Sequence, residues 1–168
     1  MLKRREFIIS SMLLGVGTTL KAEPINDLEK SFIEVKDVIV SVQEHMFPTG
    51  NALPSAKETR VIEFIHETIM HPSYDKDIRA FVIEGAQELI EREKKSFLTY
   101  NVEEKEKALR NYEETNYGNA WLSRIMTLTM EGMFSDPIYG ANKKEIGWKS
   151  LQAYGGYPRA KGRYLENV

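Results

Sequence analysis

The chain has 168 residues, a formal net charge of −2 and no cysteine. Without cysteine it forms no disulfide, thiolate metal site, iron–sulfur ligand set or covalent c-type haem attachment. The length corresponds to one domain with or without extensions, and the basic residues are scattered among acids, which gives no reason to expect nucleic acid as a partner.

The beginning of the chain has the features of an export signal. A positively charged start precedes the mostly apolar run 7–20, which is short for a bilayer span of roughly 20 residues. Residues 4–8 read RREFI, the twin-arginine pattern of two arginines followed by any residue, phenylalanine and an aliphatic residue. Arg4, Arg5 and Phe7 are therefore the candidate recognition residues.

We predict residues 1–22 as a twin-arginine signal peptide and residues 23–168 as a single domain. Whether the signal is cleaved after Ala22 stays open, because Leu20-Lys21-Ala22 is an imperfect cleavage site. A basic start to a buried first helix and an uncleaved anchor are the alternatives. Twin-arginine export moves folded proteins, which points to a passenger larger than this chain.

The next segment has the period of an amphipathic helix. Residues 26–29, NDLE, have the form of a capping box, and the Pro-Thr-Gly-Asn sequence at 48–51 ends the helix. Apolar residues at alternating spacings of four and three fall on one face for about five turns. These residues are Leu28, Phe32, Val35, Ile39, Val42 and Met46.

Two further helices are predicted from their start and stop signals. Residues 55–58, SAKE, form a second capping box, and His-Pro at 71–72 ends the helix that follows. Asp75 or Asp77 begins a third helix. That helix contains Gly85, which costs roughly 1 kcal/mol of helix propensity relative to alanine, and a close helix crossing would explain it.

The fourth predicted segment begins with a capping box at residues 101–104. Its middle, EEKEKALRNYEET, is strongly charged and predicts a solvated surface helix with acid–base pairs four residues apart. Residues 116–119 interrupt or bend it, and an apolar face then resumes. That face comprises Trp121, Leu122, Ile125, Met126 and Met133.

No stretch alternates with period two, and no internal repeat is visible. We therefore predict an all-α fold, a small helical bundle followed by a long, irregular C-terminal arm rich in glycine and aromatic residues.

Residues 131–158 read EGMFSDPIYGANKKEIGWKSLQAYGGYP and do not form a regular helix, because Pro137 lacks an amide donor and several glycines break the pattern. The segment is dense in short motifs. These are Glu131-Gly132, Phe134-Ser135-Asp136-Pro137, Tyr139-Gly140 with Asn142, Gly147-Trp148 and Gly156-Tyr157-Pro158. Together they resemble the signature of the gluconate 2-dehydrogenase subunit 3 family, with Ala141 where the family usually has a second glycine.

This resemblance implies a non-catalytic small subunit of a periplasmic, membrane-associated, FAD-dependent dehydrogenase of gluconate or a related sugar or sugar acid. A large subunit of the glucose–methanol–choline oxidoreductase type would bind FAD, and a c-type cytochrome subunit carrying haem c would accept the electrons. The small subunit would supply the export signal to the twin-arginine translocase and stabilise the large subunit. The complex would be held at the inner membrane through its partner subunits.

The aromatic arm either packs against its own domain or binds a partner, since tryptophan and tyrosine are enriched as interface anchors. With the resemblance we expect a mixture, in which Tyr139, Trp148 and Tyr157 are the anchors. The predicted partner interface comprises Phe134, Asp136, Pro137, Tyr139, Gly140, Asn142, Trp148, Tyr157 and Pro158.

We predict no catalytic, cofactor-binding or metal-binding residue in this chain. Glu63-Phe64-Ile65-His66 is half of a di-iron carboxylate motif and has no second copy, so we interpret it as a helix surface with a partly buried histidine. Asp136, between serine and proline, is interpreted as a turn-former. A stand-alone helical metalloprotein built around Glu63 and His66, and an export chaperone that leaves the complex, are the competing hypotheses.

Overall fold

The computed structural model describes residues 25–158, and all regular secondary structure in this range is helical. The six α-helices are α1 Ile25–Met46, α2 Val61–Met70, α3 Lys76–Arg92, α4 Val102–Glu113, α5 Asn116–Phe134 and α6 Ile146–Ser150. Short 3-10 turns cover Phe97–Thr99, Pro137–Tyr139 and Lys143–Glu145. The predicted all-α fold is confirmed.

The predicted export signal, residues 1–22 with Arg4, Arg5 and Phe7, lies outside the described residues and stays a prediction. Within residues 25–158, no helix combines the length and the apolar character that a membrane span requires.

Helix α1 buries the predicted apolar stripe. Its four central members, Phe32, Val35, Ile39 and Val42, are almost fully buried. Leu28 and Met46, at the two ends, are partly buried against the same core. The helix begins at Ile25, one residue before the predicted cap, which is within the usual uncertainty of helix ends.

The second capping box forms, but it does not begin helix α2. The Ser55 amide donates to Oε2 of Glu58 at 2.7 Å, and the Glu58 amide donates to Oγ of Ser55 at 3.1 Å. The chain then passes through Arg60, whose φ of 61° is left-handed, and regular helix starts at Val61. The box therefore stabilises the turn before α2.

The caps of α3 and α4 form as the sequence predicts. Asp75, rather than Asp77, caps α3, because its carboxylate accepts from the amides of Asp77 at 2.9 Å and Ile78 at 3.0 Å. At α4, the Asn101 side chain accepts from the Glu104 amide and the Glu104 carboxylate accepts from the Asn101 amide, both at 2.9 Å. Each cap satisfies donors that a helix start leaves unpaired.

Helix α4 is more than a surface helix, so that part of the prediction is wrong. Its charged face does carry the expected pair, with Arg110 Nε 2.8 Å from Glu106 Oε1. The opposite face, however, buries Ala108, Leu109 and Tyr112. A helix of strongly charged composition thus contributes one of the largest buried side chains of the core.

The break between α4 and α5 lies earlier than predicted. Thr115 caps α5 by accepting from the Gly118 amide at 2.9 Å, so residues 116–119 form the first turn of α5 instead of an interruption. The predicted apolar face of α5 is correct at Trp121 and Ile125, which are buried, but Met126 is exposed.

Helix α5 is the central element of the bundle, and it packs against α1, α2, α3 and α4. A buried polar contact joins it to α1, where Gln43 Nε2 donates to Thr129 Oγ1 at 3.0 Å. Because both side chains are almost completely buried, this bond also fixes how the two helices face each other.

The crossing of α3 and α5 occurs at Gly85, as predicted. A Cβ atom at Gly85 would overlap the indole ring of Trp121. The Trp121 indole N–H donates to the carbonyl of Val82 at 3.0 Å, and the Tyr112 hydroxyl donates to the carbonyl of Gly85 at 3.0 Å. Three helices are therefore joined at one glycine.

We expect Gly85→Ala to lower the free energy of unfolding by about 1–3 kcal/mol, because overpacking outweighs the gain in helix propensity. Urea unfolding followed by circular dichroism measures the change. Glu84→Ala, at the exposed neighbouring position, is the control and should shift stability by less than about 0.5 kcal/mol. A Gly85→Ala variant as stable as the wild type would contradict the close crossing.

Candidate functional site

The signature segment leaves α5 through a short, well-defined turn. The Asp136 carboxylate accepts from the Ile138 amide at 3.1 Å, at the start of the 3-10 turn Pro137–Tyr139. Gly140 follows with a φ of 96°, a left-handed conformation that favours glycine. The prediction that Asp136 forms a turn is confirmed.

Asn142 holds three parts of the chain together. Its side-chain amide donates to the carbonyl of Ser135 at 2.8 Å, and its side-chain oxygen accepts from the Gly147 amide at 2.8 Å. Its backbone amide donates to the carbonyl of Thr59 at 2.9 Å. Asn142 therefore connects the end of α5, the start of α6 and the turn before α2.

This arrangement changes the interpretation of two predicted interface residues. Asn142 and Gly140 are both buried within the chain, so neither presents a side chain to a partner. Asn142 has a left-handed φ of 48°, which asparagine tolerates better than most residues. Its contribution to an interface is to fix the shape of the loop.

Trp148 also packs against its own domain. Its indole N–H donates to the carbonyl of Phe134 at 2.6 Å, and a Cβ atom at Gly155 would overlap its ring. The side chain is partly buried. Trp148 thus joins the end of α5 to the arm that follows α6, and only part of its ring faces outward.

The arm after α6 presents large apolar side chains to solvent. Leu151 is 53% exposed, Tyr154 76% and Tyr157 89%. Tyr139, in the preceding turn, is 40% exposed. Large exposed apolar side chains can mark interaction sites, and in the described structure these four side chains are accessible to a partner.

The other predicted interface residues are partly buried or exposed. Phe134, Asp136 and Pro137 are partly buried, and Pro158 is exposed. Of the nine residues predicted for the interface, the structure thus brings the turn residues together at the end of α5 and leaves the arm residues outermost.

Tyr139 borders a half-open pocket of about 210 Å³ that the sequence does not reveal. The other lining residues come from α2 and the turn after it; they are Phe64, Glu67, Thr68, His71, Ser73 and Tyr74. Within this group, the Ser73 hydroxyl lies 2.6 Å from Nδ1 of His71. No sequence signal could have found the pocket, because only the fold brings Tyr139 to these residues.

The Glu-x-x-His motif of α2 makes polar contacts on the helix surface. Glu63 contacts Arg60 and lies 3.5 Å from Nζ of Lys143. His66 Nε2 lies 3.0 Å from Oε1 of Glu29, which joins α2 to α1. Across residues 25–158, no three histidine or carboxylate side chains are arranged to hold a metal ion.

His45, which the sequence left unassigned, joins α1 to α4. Its Nε2 lies 2.6 Å from Oε2 of Glu106. Hydrogen bonds from His45 and then Arg110 lower the pKa of the Glu106 carboxyl. The histidine contacts of α1 and α2 therefore hold helices together.

The chain matches a protein family over most of the residues that the structure describes. The sequence model described as Gluconate 2-dehydrogenase subunit 3 matches residues 34–156, a range that runs from α1 through the bundle and into the exposed arm. Neither the curated proteins nor the solved structures contain a match to this chain.

We expect Asn142→Ala to lower the free energy of unfolding by about 2–3 kcal/mol, because buried hydrogen-bonding groups lose their partners. Asn142→Gly separates the causes, since it tolerates the left-handed backbone but still lacks the amide. Thermal unfolding and hydrogen–deuterium exchange of residues 135–147 provide the measurement. Asn119→Ala, at an exposed position of α5, is the control.

A stability of Asn142→Ala within about 0.5 kcal/mol of the wild type, the range of ordinary surface substitutions, would contradict the role assigned to Asn142.

Proposed function

Because the chain belongs to the gluconate 2-dehydrogenase subunit 3 family, we propose that it is the non-catalytic small subunit of a periplasmic, FAD-dependent dehydrogenase. The substrate of the complex is gluconate or a related sugar or sugar acid. In this role the chain binds, escorts and stabilises the flavoprotein subunit that performs the oxidation.

The observation that carries the proposal is the exposed apolar arm. Leu151, Tyr154 and Tyr157 project from a segment that is itself attached to the bundle through Trp148. Large apolar side chains of this kind lose their contact with water when a partner covers them, which is the main favourable term in protein association. A permanent interface would bury more than about 2,000 Å² in total.

In this proposal, the cofactors belong to the partner subunits. The large subunit, of the glucose–methanol–choline oxidoreductase type, binds FAD, and a cytochrome subunit binds haem c. The sequence contains no cysteine and so has no site for covalent attachment of c-type haem; the proposal assigns this haem to the cytochrome subunit.

Export is the second part of the proposed role. Arg4, Arg5 and Phe7 supply the twin-arginine pattern. Because this route transports folded proteins, a flavoprotein loaded with FAD in the cytoplasm can cross the membrane bound to the small subunit. The complex then works in the periplasm, attached to the inner membrane through its partners.

The arm can be tested by removing its two most exposed rings. We expect Tyr154→Ser combined with Tyr157→Ser to weaken binding of the flavoprotein subunit at least about tenfold, as expected for central aromatic anchors. Affinity purification of the tagged chain from cells that express both subunits, quantified by flavin absorbance, is the measurement. Leu98→Ser combined with Val102→Ser removes two other exposed apolar side chains and is the matched control.

Trp148→Ala should weaken assembly as well, because the arm loses its attachment to the end of α5. Equal recovery of the flavoprotein with the wild type and with both kinds of arm variant would refute the proposed interface. Metal analysis of the same samples tests the competing metalloprotein hypothesis.

The export role can be tested independently. We expect Arg4→Lys combined with Arg5→Lys to leave the flavoprotein and its dehydrogenase activity in the cytoplasm, because the translocase recognises the arginine pair. Cell fractionation with activity assays is the measurement, and Lys21→Arg, a conservative change outside the pair, is the control.

Normal periplasmic activity in the arginine-pair variant would rule the signal out. A periplasmic dehydrogenase that is active but no longer contains this chain would instead favour a chaperone that leaves after export.

A further inference from the structure

The pocket beside Tyr139 is lined by aromatic and polar side chains. It opens between α2 and the 3-10 turn Pro137–Tyr139, and three of its seven lining residues carry a phenyl or phenol ring, namely Phe64, Tyr74 and Tyr139. Aromatic rings carry negative charge on their faces and attract cations positioned over them.

Most of the charged groups at and near the pocket are carboxylates. Glu67 is the acidic residue of the lining, and neither lysine nor arginine is among the lining residues in the described part of the chain. Burial raises the pKa of Tyr74; the nearby Arg124 lowers it, and the carboxylates of Glu131 and Asp75 raise it. In and near the lining, the three carboxylates of Glu67, Glu131 and Asp75 thus stand against one guanidinium, that of Arg124.

The size of the pocket favours a side chain over a free small molecule. Its volume of about 210 Å³ is below the roughly 300–1,000 Å³ typical of sites that enclose small ligands. It is half-open and bordered by Tyr139, a residue of the signature segment. A long side chain projecting from a flat partner surface can enter such a pocket.

We propose that this pocket receives a cationic side chain, arginine or lysine, of the partner subunit. The cation lies among the rings of Phe64, Tyr74 and Tyr139 and is paired with the Glu67 carboxylate. The inference rests on the proposed function, because the cation belongs to the subunit that the arm binds. The same acidic surroundings disfavour an anionic sugar acid as the occupant.

The arm and the pocket then have different tasks. The arm supplies apolar contact area, which depends little on salt. The pocket supplies a charged contact, whose strength falls as ions screen it and which selects the orientation of the partner. Salt dependence therefore separates the two contributions experimentally.

The first test is Glu67→Gln in the full chain co-expressed with the flavoprotein subunit. We expect this variant to bind the partner at least about tenfold more weakly at low salt, the loss expected for one charge-assisted contact. The difference from the wild type should shrink as the salt concentration rises from about 0.05 to about 0.5 M. Glu103→Gln, an exposed carboxylate on α4, is the control and should behave as the wild type.

The second test separates a cation from an apolar occupant. Tyr139→Phe keeps the aromatic face and Tyr139→Leu removes it, so a bound cation requires that the leucine variant bind at least about threefold more weakly than the phenylalanine variant. Thermal unfolding of each purified chain shows whether the fold is retained. The binding of the two Tyr139 variants is compared only if both unfold at the same temperature.

The outcomes are distinct from those of the proposed function. The cation proposal is wrong if Glu67→Gln binds the partner as tightly as the wild type at all salt concentrations, or if the two Tyr139 variants bind equally. Either result leaves the proposed function intact. Equal binding of the two Tyr139 variants is the result expected for an apolar occupant. Failure of the wild-type chain to bind any flavoprotein overturns the proposed function and the cation together.

Discussion

The contact of Trp121 with Gly85 determines much of the bundle. The indole ring fills the space that a side chain at Gly85 would occupy, so α3 and α5 approach more closely than other residues would allow. Tyr112 completes the arrangement by donating to the Gly85 carbonyl. A helical carbonyl has two lone pairs and can accept this bond in addition to its own. The crossing thus fixes α3, α4 and α5 relative to one another.

The signature segment depends on this bundle, because it starts at the end of α5. Asn142 binds backbone groups on both sides of the turn, at Ser135 and Gly147, and reaches back to Thr59 before α2. Trp148 adds a second connection to the end of α5. The loop therefore has a definite shape before any partner binds, which reduces the entropy lost on association. A prearranged loop with exposed rings is well suited to a permanent subunit contact.

The sequence predicted the helices well wherever a local signal was strong. The capping box at Asn101 and the carboxylate at Asp75 use bonds to residues two or three positions away, so their geometry follows from local sequence. The stripe of α1 follows from the helical period. The signature was recognisable for the same reason, because its motifs are contiguous in sequence. The predicted hydrogen bonds of the capping box at Ser55 form, but α2 does not begin there.

The sequence did not show which residues that are far apart in the chain lie close together in the fold. It determined the fold class, the family and the export pattern at Arg4 and Arg5, all of which depend on composition, period or contiguous motifs. The tertiary structure decided that Tyr112 is buried in a charged helix, that Asn142 faces inward, and that Tyr139 meets Glu67 at a pocket. Burial and pocket formation depend on which helices pack together, and that is fixed by long-range contacts instead of local preference.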